Sequence, residues 1–290
     1  MAAPSTTASP RDELIRIEEK LREHKLFAKL TPEKLEELAD AIYMAALRAG
    51  LPVDDTISAI RSKTALNATF FEAQSGCIFN FIEPKYQDFA RRIFVKRAGG
   101  GTPNAAMGKG ELLLMLLSDK TEKPVRGDIL YEKREIEVKA NGGKVGLGNG
   151  KEANQAVVNY CREHDIPLRI APNGKAAKGQ PIFDPTKNED RTALEDKLSE
   201  VLCAWWQAIS GETLVHPTWP DVRKAFLERV ALDQFTTPQS EILVIAGDGQ
   251  FCFFKTKTEF VSYYNRDRTS YEYRGYQNNP FSIYLEVWPT

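Results

Sequence analysis

The sequence has few of the residues that most often build metal clusters, cross-links or covalent nucleophiles. It contains four cysteines and three histidines in 290 residues. The cysteines are far apart and show no Cys-x-x-Cys spacing, so we expect neither a structural zinc site nor a disulfide framework. The histidines form no cluster, which argues against histidine-bound metal sites and against nucleophilic triads built on histidine.

Two further absences narrow the class of protein. No apolar run is long enough to cross a bilayer, and no charged-then-apolar leader is present, so we expect no membrane partner and a cytoplasmic location. The formal net charge is −1. Any affinity for nucleic acid must therefore come from local basic patches rather than from a global positive field.

Two alternating stretches, residues 127–131 and 135–139, are the clearest structural signal. Polar and apolar residues alternate in both, which is typical of strands with one buried face. The three polar residues between them suit a hairpin loop, and we place the turn between Glu132 and Lys133. The resulting hairpin has one apolar face, made by Ile129, Tyr131, Ile136 and Val138.

The other face of this hairpin carries charge. With the turn so placed, Asp128 lies directly opposite Glu137, and Lys139 lies two residues further along the same face. Opposed carboxylates repel each other, so this face is unfavourable without a cation. Mg²⁺ accepts carboxylate oxygens, lowers the pKa of a bound water and neutralises charge on a phosphoryl oxygen, and a nearby ammonium can orient that water. These side chains on one sheet face therefore predict phosphodiester hydrolysis.

The spacing of Asp128, eight residues, then Glu137-Val138-Lys139 resembles the signature of the PD-(D/E)xK nuclease superfamily. That superfamily includes restriction enzymes, repair nucleases and phage proteins, and it places the Asp and the Glu-x-Lys on adjacent strands. The resemblance covers residues 108–165 and is silent on the rest of the chain.

Two neighbouring features bear on the resemblance. Many members add a Glu from a preceding helix, and Glu111, which leads into the apolar run 112–117, matches that acid. The Pro of the family name is Gly127 here, at a position that varies in the superfamily. The resemblance implies an α/β, restriction-endonuclease-like fold, with a mixed central sheet flanked by helices. Outside the stretch that it covers, the apolar periodicity predicts a mostly helical N-terminal region.

The resemblance also implies roles for the individual residues. Asp128 and Glu137 hold Mg²⁺, for which Mn²⁺ can substitute, with help from the Val138 carbonyl. Lys139 positions the attacking water, and Glu111 binds or orients a second metal or a water. Each residue also has a plainer interpretation, because the hairpin acids and lysine suit a solvated surface face and Glu111 suits the positive end of a helix dipole.

Two basic segments are candidates for contact with nucleic acid. A basic amphipathic helix is predicted at 84–97, and a glycine-rich loop is predicted at 141–150, directly after Lys139. Both could follow a phosphodiester backbone, and both could equally be a solvated helix and a mobile loop. The basic residues concerned are Arg91, Arg92, Lys96, Arg97, Lys144 and Lys151.

Composition divides the chain into a disordered tail at 1–9, a helical region at 10–100 and a nuclease-like domain at 101–290. A glycine-rich break around residues 99–101 marks the boundary between the last two. The N-terminal helices suit either a partner-binding or dimerisation module or the first part of the core. Periodicity predicts helices at 11–27, 32–50, 108–118, 191–209 and 220–233, a short helix ending at Ile60, short strands at 167–170 and 281–288, and a second hairpin at 241–255.

The predicted function is a Mg²⁺-dependent endonuclease acting on DNA, either restriction-type or phage-encoded, in the cytoplasm or a virion. The residues do not distinguish DNA from RNA, and a homodimer is expected only if both strands of a duplex are cut. The alternative is a non-catalytic nucleic-acid-binding or virion component that retains the nuclease fold. The enzyme is favoured because the chain keeps Asp128, Glu137 and Lys139, at least one of which degraded sites usually lose.

Overall fold

The structure is a computed structural model whose described residues belong to two compact units. One unit is drawn from residues 1–140, 241–253 and 289–290, and the other from 141–240 and 254–288. The N-terminal helices and the candidate hairpin therefore share a unit, so these units do not divide the chain at residue 101. The structure describes residues 9–23, 27, 30–62, 64–96, 108–122, 124, 127–146, 169–170, 203, 219–266, 269, 271–274 and 281–288.

The first unit is α/β, with a mixed six-stranded sheet flanked by helices, and this confirms the predicted class. Its strands are β1 (Ser75–Cys77), β2 (Thr121–Glu122), β3 (Ile129–Tyr131), β4 (Arg134–Ala140), β7 (Ser240–Ile245) and β8 (Gln250–Phe254). Across the sheet they follow the order β1-β8-β7-β4-β3-β2. Strand β1 is antiparallel to β8, and both β2 and β4 are antiparallel to β3.

Strands β3 and β4 form the predicted hairpin in the predicted register. Ile129 pairs with Ile136 and Tyr131 with Arg134 across a two-residue turn. The two isoleucines are fully buried, because both belong to the apolar set that alternation places on one face. The hairpin is therefore held by core packing on one side, which leaves the other side to polar residues.

The described residues of the first unit form five α-helices: α1 (Pro10–Arg22), α2 (Pro32–Arg48), α3 (Val53–Ser62), α4 (Gln87–Lys96) and α5 (Lys109–Leu117). Helix α1 begins at a capping box in which Ser9 and Asp12 exchange hydrogen bonds. Helix α2 begins as predicted, with Thr31 as the N-cap and proline in its first position. Their buried stripes join the sheet in one hydrophobic core.

The predicted bounds of two helices are wrong. The helix predicted at 11–27 ends at Arg22, and Phe27 contributes to the core from outside it. The helix predicted at 84–97 is a 3₁₀ turn, Pro84–Tyr86, followed by α4. In the first case an apolar residue beyond the helix is buried by tertiary packing rather than by the helix itself, and in the second the proline begins a tighter turn before the α-helix.

The second predicted hairpin is confirmed in strands β7 and β8. All six residues of β7 are buried, and four of the five residues of β8 are buried. The turn contains Gly249 at φ +89°, where a Cβ would lie 2.3 Å from Phe79 Cε2. Glycine is required there, because both the left-handed backbone and the close aromatic ring exclude a side chain.

The second unit has a four-stranded sheet in the order β5-β10-β9-β6, with antiparallel neighbours. Helix α6 (Trp219–Gln234) confirms the predicted helix at 220–233. A further helix, α7 (Lys257–Tyr264), begins at a Thr256–Glu259 capping box that the sequence analysis missed. The strands are β5 (Gly143–Gly146), β6 (Arg169–Ile170), β9 (Tyr271–Arg274) and β10 (Phe281–Leu285).

The prediction of a loop throughout 141–150 is wrong for its described part. Residues 143–146 form strand β5, which pairs with β10, and Val145 is buried. Two of the four residues of this strand are glycines and Gly142 precedes it, and the low strand propensity of glycine hid a segment that is fixed by pairing rather than by composition. The predicted tail at 1–9, apart from Ser9, and the predicted helix at 191–209, apart from Cys203, lie outside the described residues.

Within the described part of the chain, no helix combines the length and apolar character needed to cross a bilayer.

Candidate active site

Asp128 is anchored across the hairpin immediately before strand β3. Its backbone N–H donates to the Ile136 carbonyl at 3.2 Å, which extends the pairing of the two strands by one residue. Its carboxylate Oδ2 accepts a hydrogen bond from the Val138 backbone N–H at 2.8 Å. A carboxylate held by a backbone donor on the opposite strand has little freedom to turn away, so the hairpin itself fixes its position.

Gly127 explains why proline does not precede this aspartate. Its backbone φ is +77°, whereas proline holds φ at about −65°. A Cβ at this position would lie 3.5 Å from the Ile136 carbonyl oxygen and 3.9 Å from Glu137 Oε2. The backbone conformation therefore calls for glycine, and the same distances place the Glu137 carboxylate close to the chain that leads into Asp128.

Glu137 and Lys139 lie on the same face of β4 and contact each other. The Lys139 ammonium Nζ donates to Glu137 Oε1 in an ion pair. The two side chains are 32% and 27% exposed respectively, so the pair is partly screened from water without being fully desolvated. The predicted glutamate and lysine are therefore brought together, with opposite charges in direct contact.

The pKa of Asp128 shows that these groups act on one another. It is raised above the ordinary value of 3.8, first because the carboxyl is partly buried and next because the Glu137 carboxylate lies near. The hydrogen bond from Val138 lowers the pKa, Glu111 raises it and Lys139 lowers it. Glu111 in α5, Asp128 just before β3, and Glu137 with Lys139 in β4 thus share an electrostatic neighbourhood.

Glu111 reaches this neighbourhood from the first turn of α5. Its Oε2 accepts a hydrogen bond from the Gly108 backbone N–H at 3.1 Å, and the residue is only 4% exposed. One oxygen of this carboxylate therefore caps its own helix, as a plain structural acid would. The same carboxylate also acts on Asp128, so the two interpretations of Glu111 are compatible.

Gly110 sets the distance between α5 and the sheet, and the sequence analysis missed it. A Cβ there would lie 2.7 Å from Ile245 Cδ1 and 3.1 Å from Val138 Cγ1, closer than side chains normally approach. The helix can therefore lie directly on β4 and β7, which carries Glu111 towards Asp128. The signal in the sequence is a glycine within a helix, directly before its apolar run 112–117, where it costs helix stability and needs a packing reason.

Arg134, which the sequence did not single out either, ties the turn end of the hairpin to neighbouring elements. Its guanidinium donates to the Phe71 carbonyl at 3.2 Å and to Glu72 Oε1 at 2.9 Å, and it pairs with buried Glu241 at 3.4 Å. It also lies 4.8 Å from the centre of the Tyr131 ring. These contacts join β4 to β7 and to the 3₁₀ turn Ala68–Glu72, and they hold the strand that carries Glu137 and Lys139.

The donor set suits a hard cation with oxygen ligands. Asp128 and Glu137 are two nearby carboxylates, and Mg²⁺ commonly binds proteins through one or two carboxylates while keeping several waters. Within the part of the chain that the structure describes, no group of three or more His, Cys, Asp or Glu residues is placed to hold a metal. A site here would therefore rest on two carboxylates, with backbone oxygen and water completing the shell.

The predicted nucleic-acid-binding residues have varied surroundings. On α4, the Arg91 guanidinium lies 4.2 Å from the centre of the Phe79 ring, and Arg92 forms an ion pair with Asp88 at 2.8 Å. Their charges are thus engaged within the protein, although both side chains retain solvent exposure. Lys96 ends α4 and Lys144 lies in β5, with their side chains outside the described part of the structure, and Arg97 and Lys151 lie outside it altogether.

Comparison with protein-family models, with curated proteins and with solved structures gives no match for this chain. The resemblance to the PD-(D/E)xK superfamily therefore rests on the residues Asp128, Glu137, Lys139 and Glu111 alone and on their arrangement.

Proposed function

We propose that this chain is a metal-dependent nuclease of the restriction-endonuclease-like kind that hydrolyses phosphodiester bonds, with DNA as the substrate and an endonucleolytic mode of cleavage. The observation that carries the proposal is the geometry of the hairpin: the Val138 backbone N–H holds the Asp128 carboxylate at 2.8 Å, and Glu137 and Lys139 lie in contact on one face of the opposite strand. Like charges held together on a sheet face destabilise it, so their retention here is best explained by a cation that both bind.

Each residue of the candidate site has a distinct role in the proposed reaction. Asp128 and Glu137 hold Mg²⁺ or Mn²⁺ through carboxylate oxygens, and the Val138 carbonyl supplies a third oxygen. When bound, the metal lowers the pKa of its water and neutralises charge on the scissile phosphate. Lys139 orients the attacking water and stabilises negative charge at the phosphate. Glu111 fixes the N-terminus of α5 and orients a water beside Asp128.

A non-catalytic nucleic-acid-binding or virion role is the second candidate, and one observation favours it. In the described residues the acids do not form a group of three that could hold a metal, and Lys139 already neutralises Glu137. A nuclease fold that has given up catalysis could use this internal pairing to make the face stable without an ion. Cleavage assays separate the two candidates.

The test is nicking of supercoiled plasmid by purified protein with Mg²⁺, with Mg²⁺ and excess chelator, and with Mg²⁺ and the Lys139→Ala variant. The proposal predicts nicked product only in the first reaction. Lys133→Ala is the matched control, because Lys133 is an exposed lysine in the turn of the same hairpin and should leave nicking unchanged. Equal nicking in every reaction indicates a contaminant, and no nicking of duplex DNA, single-stranded DNA or RNA supports the non-catalytic candidate.

A further inference from the structure

The Lys139–Glu137 ion pair occupies one of the two carboxylates that the proposed site needs. The ammonium contacts Glu137 Oε1, the kind of oxygen through which a metal would be bound. A hydrated cation and an ammonium cannot both bind that oxygen at full strength, because they repel each other at contact distance. The described arrangement therefore pairs Glu137 with an internal cation.

The position of the pair on the strand makes this competition effective. Residues 137 and 139 are two apart on β4, so both side chains project from the same face, the one that also faces Asp128. The pair is less exposed than an ordinary surface pair such as Lys224–Glu228, whose side chains are 60% and 55% exposed. At 27% and 32% exposure, Lys139 and Glu137 are screened less by water, so their pairing carries more weight.

The geometry of the hairpin points the same way. The register places Asp128 across from Glu137, so the Lys139 ammonium lies on a face that carries two carboxylates. The lysine thus partly offsets the negative charge of this face, a function that a bound divalent cation would take over. Either cation stabilises the face, and each reduces the gain from the other.

We propose that Lys139 competes with the metal ion for Glu137, so that the Lys139–Glu137 pair weakens metal binding and opens when the site is loaded. The inference rests on the metal site of the proposed function. Opening of the pair frees the ammonium from its carboxylate, and Lys139 then faces the water or the phosphate as the proposed mechanism requires. The lysine is thereby a counter-ion before loading and a catalytic group after it.

Mn²⁺ affinity measures this competition without any cleavage step. Wild type and Lys139→Met are titrated with Mn²⁺ at about pH 8, by calorimetry and by loss of the free-ion electron paramagnetic resonance signal. We expect Lys139→Met to bind Mn²⁺ about three- to tenfold more tightly, because a partly buried pair no longer has to break. Methionine keeps the length and the apolar stem of lysine, so the strand should pack as before.

Two control variants separate loss of the Lys139–Glu137 pair from other effects of the substitution. Lys133→Met removes a positive charge from the turn of the same hairpin and should leave the Mn²⁺ affinity within about twofold of wild type, because exposed charges are well screened. Lys139→Arg keeps a cation on Glu137 and should stay close to wild type. Lys139→Gln provides a second neutral variant should the methionine variant lose its circular dichroism spectrum or its cooperative melt.

The outcomes separate this inference from the nuclease proposal. Tighter Mn²⁺ binding by both neutral variants supports the competition, even if no variant and no wild-type preparation cleaves nucleic acid. Unchanged or weaker Mn²⁺ binding by well-folded Lys139→Met and Lys139→Gln overturns the competition, even if wild-type protein is an active nuclease. Absence of Mn²⁺ binding by wild type and variants alike overturns it together with the metal site.

Discussion

Strands β4 and β7 lie side by side in one sheet and differ sharply in how they are buried. All six residues of β7 are buried, with Ile242, Leu243 and Val244 almost completely excluded from solvent. In β4 one residue, Ile136, is fully buried, and Glu137 and Lys139 remain half-exposed. A strand buried on both faces contributes stability, whereas a strand that exposes acids on one face gives up some of that stability. The difference indicates that β7 forms the structural frame of the sheet, whereas β4 carries polar residues of the proposed site.

The largest expected effect is on catalysis, from the polar face of the hairpin. Asp128→Asn should reduce Mg²⁺-dependent nicking by at least about 10³-fold, because a metal ligand is lost and with it several kcal/mol of transition-state stabilisation. The thermal midpoint should stay the same or rise, since the amide oxygen can still accept from Val138 while the repulsion from Glu137 disappears. Nicking rate and thermal melting are measured on the same preparation.

Glu135→Gln is the matched control for this change. Glu135 lies on the same face of β4, two residues before Glu137, and it is absent from the groups that shift the pKa of Asp128. Its variant should keep nicking within about threefold of wild type, since a partly exposed charge that does not act on Asp128 should contribute little. An equal loss of activity in Glu135→Gln and Asp128→Asn would contradict a site centred on Asp128.

The next effect is on stability, from β7. Leu243→Ala should lower the free energy of unfolding by about 2–5 kcal/mol, because Leu243 is fully buried and its removal leaves a cavity in the core. Denaturant unfolding measures this loss. Activity per folded molecule, assayed well below the melting temperature, should change little. A fall in activity of the size expected for Asp128→Asn would show that β7 belongs to the site and not only to the frame.

A smaller effect is expected where the two strands meet α5. Gly110→Ala should cost about 1–3 kcal/mol by overpacking, because the new Cβ would lie against Ile245 and Val138. The displaced helix would also move Glu111, so the nicking rate should fall as well. Gly108→Ser, two residues earlier, is the control, because a Cβ there meets nothing within 4 Å. Equal stability of the two variants would contradict a close approach of α5 to the sheet.

The smallest effect is a pH dependence of stability. The pKa of Asp128 is raised above 3.8, so the folded chain holds this proton more tightly than the unfolded chain. The resulting stabilisation is present below the unfolded pKa and is lost as pH rises through the folded pKa. Compared with Asp128→Asn, wild type should therefore lose stability as pH rises above the ordinary value of 3.8 and through the raised folded pKa, as followed by denaturant unfolding at each pH.

Asp12 gives a control of opposite sign. Hydrogen bonds from Ser9 lower the pKa of this exposed carboxyl, so its contribution is present at neutral pH and is lost as pH falls towards its folded pKa. Asp12→Asn should therefore change the acid side of the stability curve in the other direction. Parallel curves for wild type and Asp128→Asn would show that Asp128 is not coupled to its neighbours.

The hairpin could be predicted from the sequence because one rule fixes it. Strict alternation around a short polar loop sets both register and face, and the pairing of Ile129 with Ile136 follows from it. Strand β5 could not be predicted in this way, because its glycines carry no periodic signal and its place depends on β10, more than 130 residues later. Gly110 and Arg134 were missed for a similar reason, since their roles appear only once distant elements pack against them.

The site was predicted in part. The proximity of Asp128, Glu137 and Lys139 follows from strand geometry. The position of Glu111 near Asp128 depends instead on how closely α5 packs against the sheet. The direct pairing of Lys139 with Glu137 was not predicted, because alternation places side chains on a face without saying which of them contact each other.

The most direct test of the account is the anomalous diffraction of a crystal soaked in Mn²⁺. The account predicts one strong peak at the polar face of the β3–β4 hairpin, within about 2.5 Å of a carboxylate oxygen of Asp128 and of Glu137, with the Lys139 ammonium moved off Glu137. A fully loaded crystal with no peak at this face, or with the peak bound by other residues, would contradict it.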